Sequence, residues 1–345
     1  MISDQASENS IFGSGRLLDD LLEYVYSGTE CRLILVGDTA QLPPVGASIS
    51  PALDSEKLRN CGFEVVKKEL SDVVRQDKES GILFNATAIR KFIAGSDCNG
   101  FFNITVSEFT DIEKIGGGEL IERIGSCYDT YGLFDAIILT RSNKRANLYN
   151  KGIRSSILFK ESEISRGDLL MVVKNNYYWS EKCENLDFIA NGDIAEIVHI
   201  YGYEELYGFR FADVSLRFVD YVDVEIECKI LLDTLQIETA SLSREDINRL
   251  FYSISEDYAE IKNKRDRWNK IRADPYFNAL QVKYAYAITC HKAQGGQWRS
   301  VFIDTGYITP EMLDKDFYRW LYTAFTRPIE KLFLVNFDKR FFELP

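Results

Sequence analysis

The chain has 345 residues, of which 46% are hydrophobic, 13% aromatic and 27% charged; this globular composition excludes general disorder and fibrous folds and suits two or three domains. Forty-one basic against 53 acidic residues give a net charge of −12 and a pI near 4.9, which argues against a protein that coats nucleic acid non-specifically, because phosphate affinity comes from Lys and Arg. Seven scattered cysteines without a CxxC pair, and only His199 and His291 as histidines, exclude zinc-ligand spacing and fit reduced thiols better than a disulfide framework.

No apolar run approaches the ~18–20 residues that span a bilayer. The opening MISDQASENS lacks the basic and apolar regions of a secretory signal, so a cytoplasmic location is the default expectation. A helix is predicted over 15–26, followed by LILV at 33–36, a short continuous apolar run of the kind found in strands covered on both faces. That strand leads into Gly37–Asp38, Gln41 and the Pro43–Pro44 turn. Ligands in open α/β sheets bind just beyond the carboxyl ends of strands, which places Asp38 and Gln41 where a phosphate or metal would be met. The competing reading is a solvated turn, since turns are rich in Asp and Pro.

Arg75, in SDVVRQDKES, precedes a helix predicted over 81–93. AIIL at 136–139 is a second buried strand and opens ILTRSNKRANLYNKGIR (138–154), which carries Arg141, Lys144, Arg145, Lys151 and Arg154 with no acid between Asp135 and Glu161. With Asn143 and Tyr149, this helix (145–158) suits contact with a strand backbone or a stacked base; a solvated helix face is the alternative. Between 160 and 240 the pattern changes. GDLLMVVKNNYYW, NGDIAEIVHIYGY, FRFADVSLRFV and DVEIECKILLDTL have period-2 character and polar turns, which predict a small antiparallel barrel. A charged helical stretch at about 242–272 contains a second basic island, NKRDRWNKIR with Trp268, read as a solvated helix.

YAITCHKAQGGQW (286–298) gathers Thr289, His291, Lys292, Gln294 and Gly295–Gly296. Such hydroxyl, imidazole, ammonium and amide groups, with glycines permitting close backbone approach, suit a phosphodiester backbone, although a polar loop opening a helix would look the same. VFI (301–303) and LFLV (332–335) are further buried strands. Between them a helix (317–326) carrying Thr323 and Thr326 ends at Arg327, where Pro328 forces the stop. An arginine there could reach a transferred phosphoryl group, or simply favour a helix C-terminus. The alternation of strands and helices predicts doubly wound α/β layers.

Taken in order, GDTAQLPPVG, VVRQ, LTRSNKRANLYN, GDLLMVVKNNYY with ANGDIAEIV, YAITCHKAQGGQW and YTAFTRPIEKLFLV resemble motifs III, IV, IVa, the start of the β-barrel insert, V and VI of superfamily 1B DNA helicases of the RecD/Dda type, the exodeoxyribonuclease V alpha-subunit type. The resemblance runs over residues 1–345. It implies RecA-like, P-loop NTPase-type parallel sheet layers, the first incomplete, with an inserted SH3-like antiparallel β-barrel. The domains it implies are a remnant of domain 1A at 1–72, domain 2A at 73–160 and 281–345, and domain 2B at 161–280. It also implies ATP- and Mg2+-driven 5′→3′ movement on single-stranded DNA. Asp38 and Gln41 take the place of the γ-phosphate sensor, and Arg75 and Arg327 that of the arginines reaching ATP. Thr140, Arg141, Asn143, Thr289, His291, Lys292, Gln294 and Gly295 take that of the DNA contacts.

The departure is at the phosphate cradle. A P-loop needs G-x-x-x-x-G-K-[ST], yet the sequence contains no Gly-Lys and no Asp-Glu dipeptide. Met1–Ile2–Ser3 resembles the residues that follow Walker B. The expectation is a helicase truncated at its amino end that holds no nucleotide tightly and cannot turn over ATP alone, with Leu33–Val36 left at an exposed sheet edge. The expected partners are single-stranded DNA and, beyond it, a Walker-containing N-terminal domain or other recombination subunits, with no membrane. The alternatives are a non-enzymatic single-stranded-DNA-binding or scaffold module, and a split helicase whose Walker domain is a separate chain.

Overall fold

The computed structural model describes residue 2 and residues 14–70, 80–95, 98–183 and 186–343. Among these, the helices are α1 (Leu17–Tyr26), α2 (Ser55–Asn60), α3 (Gly81–Ala94), α4 (Leu120–Tyr131), α5 (Asn143–Ser156), α6 (Arg244–Asp257), α7 (Lys264–Arg272) and α8 (Lys315–Phe325). The strands are β1 (Ile112–Ile115), β2 (Ala136–Thr140), β3 (Leu169–Val172), β4 (Ile194–Leu206), β5 (Phe209–Phe218), β6 (Glu225–Leu231), β7 (Leu280–Tyr284), β8 (Ala287–Thr289), β9 (Trp298–Asp304) and β10 (Pro328–Val335). The chain divides into two compact units, residues 1–105 with 309–326 and residues 106–308 with 327–345.

In the first unit, α1 and α2 bury Leu18, Leu22 and Leu58 together with Ala52, and Leu33, Leu35, Phe63 and Val65 pack onto this cluster. The apolar run at 33–36, expected as a buried strand, forms no strand. It alternates instead: Leu33 and Leu35 face the cluster, while Ile34 is 84% and Val36 89% exposed. Residues 63–66 repeat the pattern, with Val66 79% exposed. A continuous apolar run is a two-sided strand only where both faces are covered; here helices cover one. Elsewhere in the unit α3 and α8 supply the core. Ser80 caps α3 through Leu83 N–H (3.2 Å), and buried Asn85 bonds both to Gly81 O in its own helix and to the Thr105 backbone. Asp314 caps α8 at Phe317 N–H (2.8 Å), and residues 317–325 are buried all round.

The second unit contains a five-stranded sheet of order β1-β10-β9-β2-β8, every pair parallel, with Phe302 and Phe333 stacked 4.5 Å apart on neighbouring strands. Its other body is a closed barrel, β3-β4-β5-β6-β7. The α/β class with an inserted barrel is therefore as expected, but the barrel is mixed rather than purely antiparallel: β6 and β7 run parallel. The cause is topological. The fifth strand, β7, is supplied only after α6 and α7, whose side chains Leu250, Ile254 and Ile271 pack with Phe209, Phe211 and Leu231 of the barrel.

The chain leaves the sheet after α5 and returns at Tyr286, and both crossings meet at Asp168. This fully buried carboxylate accepts from Arg154 through both oxygens (3.1 and 3.0 Å), from Lys160 (3.1 Å), from the Tyr286 hydroxyl (2.8 Å) and from Ser165 N–H (2.7 Å). Removing one partner of a buried ion pair strands the other charge, typically at a cost of about 3–5 kcal/mol. Asp168→Ala should therefore lower the unfolding free energy by about 3–5 kcal/mol in urea denaturation; a loss under about 1 kcal/mol would show that the ions are effectively solvated.

Candidate functional site

The first unit holds Asp38 and Gln41 in the loop 38–42. Asp38 closes the loop on itself by accepting from Ala40 N–H (3.0 Å), while Gln41 N–H donates to Asp38 O (3.2 Å). Both carboxylate oxygens also have partners from helices. Oδ1 takes the Arg90 guanidinium from α3, and Oδ2 takes the Tyr322 hydroxyl from α8 at 2.8 Å. Arg90 in turn reaches the Tyr322 oxygen at 3.2 Å. Burial works against the charge of the guanidinium, but the Tyr322 and Asp38 contacts together outweigh it and leave the group more firmly protonated than usual; burial pushes the Tyr322 phenol up. One residue on, the Thr323 hydroxyl accepts Leu42 N–H (2.9 Å), so α8 grips both ends of the loop. Tyr322 and Thr323 lie inside the YTAFTRP segment; nothing in the sequence marked Arg90. Arg75 lies outside the described residues.

In the second unit the parallel register places Thr140 beside both Thr289 and Asp304. The carboxyl ends of β2, β8 and β9 thus share one edge, where ligands of open α/β sheets bind. Thr140 is fully buried and its hydroxyl donates to Ser142 O (3.0 Å). Arg141 is exposed at the edge. Asn143 opens α5 and donates to Glu238 O (3.0 Å), and Asn147 donates to Gln236 O (2.7 Å), so the segment 236–238 lies along this helix.

The acid-free stretch at 141–154 is not uniformly available charge. Arg145 is bound to buried Asp304, which also accepts from the Tyr149 hydroxyl (2.9 Å). Arg154 is buried on Asp168, and Lys144 lies 3.9 Å from Glu238. Acids distant in sequence neutralise these three, and Arg141 and Lys151 are exposed on the surface.

Beyond β8, the turn 289–296 starts with Lys292 N–H and Ala293 N–H donating to Thr289 O (2.9 and 3.1 Å). His291 is exposed at the surface and Gln294 half-buried; partial loss of solvent around their side chains lowers the pKa of both His291 and Lys292. Lys292 Nζ donates to Asn191 Oδ1, from a turn of the barrel, a partner that sequence reasoning missed because it lies 101 positions away. Gly295 has φ +91°, and a Cβ on Gly296 would stand 2.5 Å from the Trp298 ring. Arg327 is buried and donates to Gly296 O (3.1 Å), with Ala293 O at 3.5 Å. The arginine thus fastens the turn, and its positive charge pulls against the burial that pushes the neighbouring Cys290 thiol up to about 12.

The two glycines make separable demands. Gly295→Ala meets no atom within 4 Å, so its cost is conformational, about 1–2 kcal/mol. Gly296→Ala must displace the Trp298 indole and should also alter its fluorescence. Equal thermal shifts for the two variants with unchanged tryptophan emission would refute this division.

Comparison with known proteins places residues 284–335 in a match to the UvrD-like helicase C-terminal domain, a span that holds both the 289–296 turn and Arg327. An uncharacterised protein of Acanthamoeba polyphaga mimivirus, R530, is 25% identical over 374 aligned positions, covering 92% of this chain and 72% of that protein. Among solved structures, the Pif1 helicase from Bacteroides in complex with ADP-AlF3 and ssDNA aligns over 96% of this chain and 70% of its own, with 12% identity and a TM-score of 0.47. The Pif1 helicase from Candida albicans aligns over 90% and 64%, with 12% identity and a TM-score of 0.45. The similarity to a UvrD-like helicase C-terminal domain is thus confined to residues 284–335.

Proposed function

We propose that the chain is the C-terminal portion of an ATP-dependent 5′→3′ DNA helicase of the RecD/Dda type, similar to the exodeoxyribonuclease V alpha subunit. In this reading it keeps the single-strand contacts of the motor but does not hydrolyse ATP alone. The observation that carries this reading is the fastening of Arg327 to the 293–296 turn inside the segment that matches a helicase C-terminal domain. It gives the arginine proposed to respond to nucleotide a direct bond to the turn proposed to touch DNA. On this reading residues 1–72 derive from domain 1A, residues 73–160 and 281–345 from 2A, and 161–280 from 2B. Thr140, Arg141, Asn143, Thr289, His291, Lys292, Gln294 and Gly295 mark the strand path at the carboxyl edge of the sheet.

The residues present do not fit an ATP–Mg2+ group. The sequence has no P-loop lysine, Asp38 has both oxygens committed to Arg90 and Tyr322, and no group of three metal-ligating side chains occurs among the described residues. Asp38 and Gln41 then act through α8 rather than as metal ligands, and Arg75 and Arg327 respond to a nucleotide held by residues other than these. A Walker-containing N-terminal domain and other recombination subunits are the protein partners this reading calls for.

Titrating the purified chain against a fluorescent oligothymidylate at several salt concentrations tests this. Single-strand binding should weaken with salt, and Arg141→Gln or Lys292→Gln should each reduce the logarithmic slope by about 0.7. No ATP hydrolysis is expected with or without DNA. DNA-stimulated hydrolysis abolished by Arg327→Ala would overturn the inactive assignment, and absence of any single-strand binding would overturn the DNA reading.

A further inference from the structure

Within the acid-free stretches 141–154 and 283–299, four basic side chains are matched by carboxylates from elsewhere. Arg145 has Asp304, Arg154 has Asp168, Lys144 has Glu238, and Arg299 has Glu330 at 2.7 Å. Lys283 and Lys292 differ. No carboxylate lies within ion-pair distance of either among the described residues, and the charge of Lys292 acts against that of Lys283. Lys283 is also only 5% exposed, on β7 inside the barrel wall. A buried lysine without a counter-ion is costly, and a second lysine alongside raises that cost.

We infer that Lys283 and Lys292, with the Asn191 amide, form a seat for one backbone phosphate of a single strand, built jointly by the last barrel strand, a barrel turn and the 289–296 turn. The inference rests on the DNA reading above and adds to it a residue outside the motifs, Lys283, and a contribution from the barrel. Lys292 and Asn191 are joined by a hydrogen bond, so the ammonium is held at the barrel turn instead of swinging free. The turn itself is braced by Asn191 N–H donating to Asn175 Oδ1 (2.8 Å). Lys283 donates to Ile237 O, which fixes its head. It therefore acts on the phosphate chiefly through its charge, in a site where burial keeps that charge from being screened.

The turn at 232–234, packed on β7, carries Asp233, which pairs with Arg210 at 3.0 Å. Lys292 comes from the 289–296 turn. The segment 236–238 presents the Ile237 carbonyl, with Glu238 turned to Lys144. The neighbouring strand β3 places Met171 opposite. Burial first, and Lys292 second, push the Lys283 ammonium down to about 8.

The sign of the pH effect follows. A bound phosphate favours the charged ammonium, so binding raises the pKa of Lys283 and takes up a proton where the free site has lost it. Affinity is then flat below about pH 7, falls as pH rises through 8, and levels off above the pKa of the bound state. An arginine at 283 stays charged throughout this range.

The experiment measures binding of the chain to a fluorescein-labelled oligothymidylate of 16 residues from pH 6.5 to 9.5 at constant ionic strength. Wild-type affinity should fall about tenfold between pH 7 and 9.5. Lys283→Arg should bind as tightly as wild type at pH 7 and lose most of that fall. Lys283→Met should already be weak at pH 7, converging with wild type at pH 9.5, with a salt slope smaller by about 0.7. Unfolding midpoints of both variants, taken alongside, separate a lost fold from a lost charge. If the wild type binds and both variants keep its affinity and pH profile, the seat is refuted while the DNA reading stands. If the wild type fails to bind at any pH, the DNA reading itself is refuted.

Discussion

The barrel can interrupt the parallel sheet only because the two crossings between them are fixed at one buried carboxylate. Asp168 sits at the start of β3 and collects Arg154 from the end of α5, Lys160 from the following loop and Tyr286 from the return to β8. A buried anion with two cations is not by itself a gain over an apolar core, but its bonds demand a single geometry. Tyr286 is the consequential member. Its hydroxyl is on Asp168 and its carbonyl accepts Ile138 N–H of β2 (3.1 Å), so the register of β8 against β2 is fixed at the point where the chain leaves the barrel. The 289–296 turn follows directly, and its position depends on that register.

From there the turn is shaped by a few further contacts. Gly295 supplies a left-handed backbone that other residues adopt at a cost. Trp298 packs where Gly296 leaves room, and Arg327 ties the Gly296 carbonyl. These contacts give the glycines and the arginine of HKAQGGQW and TRP structural work alongside any contact with a ligand. The same economy holds in loop 38–42, where Asp38 and Leu42 N–H are each bonded to consecutive residues of α8. An aspartate with both oxygens engaged can still respond to a distant event, but it does so by moving Tyr322 and Arg90.

Much of this was legible in the sequence because it depends on local pattern. The strands at 136–140, 298–304 and 328–335, the helices at 81–94 and 143–156 and the barrel insert follow from short apolar runs, caps and period-2 segments. What was not legible depends on partners far away. The run LILV has the composition of a two-sided strand, yet whether its second face is covered is a property of the surrounding chain, and here Ile34 and Val36 are exposed. The fifth barrel strand, LQVKY, stands after two helices and looks in sequence like the resumption of the α/β layer. For the candidate site, the motif segments and their glycines were visible, whereas Asn191, Arg90 and Lys283 enter through three-dimensional contacts that no spacing announces.

Charge gives the sharpest instance. A net charge of −12 and a stretch of five basic residues without an acid seem to describe an acidic protein with one strongly positive helix. Neither description survives the pairing. Asp304, Asp168 and Glu238 come from elsewhere to meet Arg145, Arg154 and Lys144, so most of that helix is locally neutral. The quantity that matters for a phosphate is the charge left after pairing, together with its burial, because screening beyond about 8–10 Å removes the rest. By that measure Lys283 and Lys292 outweigh the richer island. They are two charges without a carboxylate partner among the described residues, one of them buried.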